Sequence, residues 1–119
     1  MTTKEVMNLD YRKEENKEII QKVLRQIKPL SRYSDECEIP FEAIEKAIVV
    51  MSKKYNMRVR EFMPDVWSNE DHTIWRAILI NETNYKTIDM VYGITLYEVF
   101  AKTAIRLYAE VKRGISKRN

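Results

Sequence analysis

Apolar residues recur along this chain at two spacings, and the change of spacing divides it. Over 10–28, Ile19, Ile20, Val23, Leu24 and Ile27 fall on one stripe at helical spacing, backed by Arg, Lys, Glu and Gln. Asp10 can cap this helix, Glu14 and Glu15 favour its positive end, and Pro29 ends it. An isolated helix of this length is marginal in water, so the stripe must cover something. After a polar linker at 30–39, Pro40 suits the first turn of a second helix. Phe41, Ile44, Ile48, Met51 and Tyr55 make its apolar face, and Asn56 is a left-handed stop.

The period then falls to two. A first strand over 57–63 sets Arg58 and Arg60 against Met57 and Val59, and Pro64 is expected to interrupt it. After the polar turn Ser68-Asn69-Glu70-Asp71, a second strand over 73–80 sets Ile74, Ile78 and Ile80 against Trp75, Ala77 and Leu79. A third over 85–92 sets Lys86, Ile88, Met90 and Tyr92 against Tyr85, Thr87, Asp89 and Val91. Short connections make the three an antiparallel meander.

Gly93 precedes a closing helix that opens on Thr95-Leu96-Tyr97-Glu98, a capping box. The Thr95 hydroxyl can accept from the Glu98 amide, and the Glu98 carboxylate can reach back to the Thr95 amide. Ile94 can staple onto Val99. Leu96, Phe100, Ala104, Leu107 and Val111 form the apolar face, and Gly114 is expected to stop the helix before a basic tail.

The expected fold is therefore α+β: an N-terminal helix followed by an α-β-β-β-α unit with a three-stranded antiparallel sheet. A single domain is expected, with 1–29 as a helical extension, 40–114 as the core and 115–119 as the tail. The second strand is apolar on both sides, which a sheet with one wet face does not need. The helix over 10–28 is expected to cover the second face, giving a helix–sheet–helix sandwich; a partner protein or a second copy are the alternatives.

With 119 residues, 45% of them hydrophobic, the chain can build a real core. It has no apolar run long enough for a membrane span, no apolar leader at its start and a single cysteine, Cys37. These point to the cytoplasm. The net charge of +3 is uneven: 94–119 carries six basic and two acidic residues, whereas 57–93 carries four and six.

Candidate chemistry is sparse. His72 is the only histidine and has no partner for catalysis or metal binding within a recognisable spacing. Cys37 lies in an acidic linker with Asp35, Glu36 and Glu38. Glu61 and Asp89 read as solvent-facing or salt-bridged strand residues rather than an acid–base pair. No nucleotide, calcium or zinc motif occurs, so neither catalysis nor a cofactor is expected. Binding features are better. Trp67 stands in the Pro64–Asp71 connection with Asp65, Glu70 and Asp71, an aromatic anchor among acids. Arg58, Arg60 and Arg76 can cluster on one sheet face. For nucleic acid the candidates are Lys102, Arg106, Lys112 and Arg113.

The element order, ending in Gly93-Ile94-Thr95-Leu96-Tyr97-Glu98-Val99-Phe100-Ala101-Lys102-Thr103-Ala104, resembles two groups. One is the double-stranded-RNA-binding domain, whose order matches over about 41–113. That family places basic residues at the start of its last helix; here Thr95, Leu96, Tyr97 and Glu98 stand there and Lys102 is the first cation. The other is a set of small phage and prophage proteins that close with a Thr-x-x-Glu-Ala type helix after an aromatic hairpin, with Val99 here in place of the alanine. This resemblance implies a non-enzymatic mobile-element accessory protein that binds a host or phage effector, for example an anti-CRISPR inhibitor. The alternative is a nucleic-acid-binding module.

Overall fold

A computed structural model describes residues 5, 8–25, 39–65 and 74–118; of 61–65 and 115–118 it describes the backbone alone. The elements run α1 (Glu14–Leu24), α2 (Phe41–Lys54), β1 (Met57–Asp65), β2 (Ile74–Asn81), β3 (Thr87–Gly93) and α3 (Leu96–Arg118). Among the described residues, these three helices and a three-stranded antiparallel sheet in the order β1-β2-β3 make the fold α+β.

Local chemistry explains most boundaries. Pro40 precedes α2, and Asn56 takes the left-handed conformation (φ 57°) that turns the chain from α2 into β1. The Glu98 amide donates to Thr95 Oγ1 at 3.1 Å, as a capping box requires. The Glu98 carboxylate reaches back to the Thr95 amide and one residue further, where the Ile94 amide donates to Oε2 at 2.9 Å. The hydrophobic staple does not form, because Ile94 is 70% exposed. Gly93 lies on Val99 instead, so close that a Cβ there would stand 2.8 Å from Val99 Cγ2.

Other expected boundaries are corrected. Asp10 does not cap α1; Lys13 holds that position, and Asp10 Oδ1 accepts from the Arg12 amide and guanidinium. Pro64 does not interrupt β1, which runs through it in register with Trp75. An edge strand tolerates a missing N–H on its outer side. Gly114 does not stop α3, since a glycine inside a long helix costs only about 1 kcal/mol.

The larger correction concerns layering. α1 packs on α2 and α3 rather than on the sheet, and α2 and α3 pack on a single sheet face. Val59, Ala77, Leu79 and Val91 meet the helices on that face. α3 thus lies between α1 and the sheet, which is why Val99 to Leu107 are buried all round rather than along one stripe. Phe41 meets Phe100 edge to face at 4.3 Å between α2 and α3. The helix–sheet–helix sandwich is not formed, and no described element covers the second sheet face.

Candidate functional site

The sheet face that no described element covers is built by strand alternation. Arg58 pairs with Ile80 and Thr87, Arg60 with Ile78 and Met90, and Arg76 with Tyr92, so these side chains share one side of the sheet. Arg58, Arg60 and Met90 are exposed; Ile74, Arg76, Ile78 and Tyr92 are half-buried. The Tyr92 hydroxyl donates to Met90 Sδ at 3.5 Å. The three arginines expected to cluster from sequence are thus brought to one face with an aliphatic centre.

Two bulges shape this face. β1 slips register between Arg60 and Met63, and the β2–β3 pair slips between Leu79 and Ile80. The second slip breaks the simple alternation expected of β3. Thr87 is exposed opposite Ile80, and Ile88 turns toward the core. At the rim of this face Glu82 Oε1 lies 3.9 Å from Arg58 Nε. An exposed pair of that length contributes little. Asp65 ends β1 in register with Ile74, while Trp67, Glu70, Asp71, His72 and Cys37 lie outside the described residues.

The residues proposed from sequence for nucleic acid do not form a cationic patch. Lys102 and Arg106 are buried between α3 and the sheet. Lys102 Nζ donates to Glu98 Oε1 at 3.0 Å and to the Tyr92 carbonyl at 3.3 Å. Arg106 Nε donates to Asp89 Oδ2 at 2.9 Å, and its Nη1 to Glu110 Oε2 at 3.0 Å. Arg113 Nη2 donates to Glu110 Oε1 at 2.7 Å, and Lys112 lies over the Tyr108 ring. The inward cations anchor β3 to α3 instead of facing solvent.

Electrostatics agree with that clamp. Partial burial pushes the Glu98 carboxyl up, but the Ile94 amide, the Lys102 ammonium and the Thr95 amide hold it below the usual carboxylate range. Burial likewise opposes ionisation of Glu110, and Arg113 and Arg106 outweigh it. This network escapes a reading of the sequence that treats Lys and Arg on a helix as solvated. The available signal was Asp89 alternating with Val91, a carboxylate on an apolar strand face that requires a cation.

Among the described residues no three His, Cys, Asp or Glu side chains converge as metal ligands, and no helix is long and apolar enough to cross a membrane. No family model, curated protein or solved structure compared with the chain matches it.

Proposed function

We propose that this chain is a small non-enzymatic binding protein that acts by stoichiometric contact with a partner protein through the open face of its sheet. The observation that carries this reading is the face itself: the three described helices lie elsewhere, and Arg58, Arg60 and Arg76 share it with Ile78, Met90 and Tyr92. Arginine and methionine around an apolar centre suit a protein interface. The Pro64–Asp71 connection, with Asp65, Trp67, Glu70 and Asp71, extends the proposed surface; its sheet-side ends are set by the Asp65–Ile74 pair.

In its concrete form the partner is a host or phage effector in the bacterial cytoplasm, and the chain is a phage or mobile-element accessory protein of anti-defence type. The similarity of the closing helix to small phage and prophage proteins supports that version; the fold alone does not specify it.

The test is affinity capture from bacterial lysate split into nuclease-treated and untreated halves. The reading expects a protein captured equally from both, at fixed stoichiometry in a purified complex. Arg58→Glu with Arg60→Glu should weaken it about tenfold or more, with unchanged circular dichroism. Trp67→Ala should weaken it without unfolding the chain. Capture confined to the untreated half, with steep salt dependence, would instead establish the nucleic-acid alternative.

A further inference from the structure

β1 lies at one edge of the sheet. The Glu82 amide donates to the Asn56 carbonyl at 2.9 Å, and the register continues through Met57–Asn81, Arg58–Ile80, Val59–Leu79 and Arg60–Ile78. Backbone groups alternate in direction along an antiparallel ladder. Arg58 and Arg60 therefore turn their N–H and C=O groups toward β2, as Asn56 turns its carbonyl. Met57 and Val59 turn theirs outward, where no main-chain partner lies among the described residues. Beside this edge, α2 and β1 flank an open groove of 460 Å³ where apolar Ile48, Val49, Met57 and Val59 meet a polar rim that includes Arg58 and Glu82. Val49 is 45% exposed there.

We infer that this edge accepts an extended segment of the partner protein as a fourth strand, with apolar and acidic residues alternating along it. The inference rests on the reading of the open face as a protein-binding surface and adds the local structure and chemistry of the partner. Strand addition supplies hydrogen-bond partners to the outward groups of Met57 and Val59. Guest side chains opposite those two residues point to the groove side and are apolar. Those opposite Arg58 and Arg60 lie on the open face, where carboxylates complement the guanidinium groups. The bulge after Arg60 ends the docking register, so it spans Met57–Arg60.

Charge decides against a second copy as the occupant. Antiparallel β1–β1 pairing centred on Val59 sets Arg58 against Arg60 on both sides, with like charges directly opposed. A nucleic acid offers phosphates to the arginines but no alternating amides to the edge.

The test is fluorescence anisotropy of the full chain with a short labelled peptide alternating valine and glutamate. The controls are a valine–lysine peptide and two valine–glutamate peptides N-methylated at alternate amides, one in each phase. Saturable binding of the glutamate peptide is expected. Replacing its glutamates by lysine, or N-methylating the inward-facing phase, should weaken binding about tenfold. Val49→Asp should weaken it similarly, and Arg60→Glu should shift preference toward the lysine peptide. Equal binding of both N-methylated peptides to that of the parent, or no binding of the parent at millimolar concentration, overturns the inference. A dimer in sedimentation that the peptide dissociates overturns the choice of occupant. Retention of the captured partner by Val49→Asp and its loss with Arg60→Glu would reject strand addition while leaving the open-face reading intact.

Discussion

Replacing Arg106 by methionine tests the clamp between α3 and β3. The guanidinium contacts Asp89 at 2.9 Å and Glu110 at 3.0 Å, and the side chains of Arg106 and Asp89 are only 8% and 4% exposed. Methionine fills much of the same space but leaves the Asp89 carboxylate without this cation in a dry setting. Breaking a buried pair by removing one partner costs about 3–5 kcal/mol. Against a typical domain stability of about 5–15 kcal/mol, that is a large fraction. At roughly 3–6 °C per kcal/mol for a chain of this size, Tm should fall by about 10–30 °C. The double change Arg106→Met with Asp89→Val should recover most of the loss, because a buried pair replaced by apolar residues is often neutral. Glu110 keeps Arg113 in that variant. Urea unfolding followed by circular dichroism gives both values, with the m-value expected to be unchanged. A single-variant loss below about 1 kcal/mol, or simple additivity of the two changes, would refute the reasoning.

Three further outcomes follow from the packing around α3. Gly93→Ala should cost about 1–3 kcal/mol by thermal denaturation, because the new Cβ would meet Val99 N at 3.0 Å as well as Val99 Cγ2, and the backbone atom cannot swing aside. Thr103→Val should be neutral or gain up to about 1 kcal/mol in urea, since Thr103 Oγ1 is buried with no hydrogen-bond partner among the described residues. Acid titration should reveal Glu98 and Glu110. Their folded-state pKa values are held below the ordinary 4.5, so the unfolded chain takes up protons first as pH falls. Their contribution is fully present above that value and is lost as pH drops through the depressed folded values; Glu98→Gln should flatten this part of a stability–pH curve.

The order of elements was legible in the sequence because it depends on local spacing. The switch from helical to alternating periodicity separates α2 from β1, Asn56 supplies the left-handed turn between them, and Thr95 with Glu98 opens α3. The clustering of Arg58, Arg60 and Arg76 was also legible, since a side-chain period of two fixes relative face within a strand and short connections fix register between strands. The register slips were not, and the one between β2 and β3 moved Ile88 to the core and Thr87 to the open side.

Only the tertiary structure decided what each apolar face covers. The stripe Ile19, Ile20, Val23 and Leu24 requires burial, but hydrophobic attraction is non-directional and names no partner; packing placed it against α2 and α3, and no described element packs on the second sheet face. Lys102 and Arg106 read as surface cations because charge carries no information about distant carboxylates. Enclosing α3 between α1 and the sheet turned both inward, and Glu98, Asp89 and Glu110 made that burial tolerable. The sequence by itself determined the elements and which side of each is apolar; the three-dimensional packing determined which cations turn inward to anchor the fold and which lie on the other sheet face.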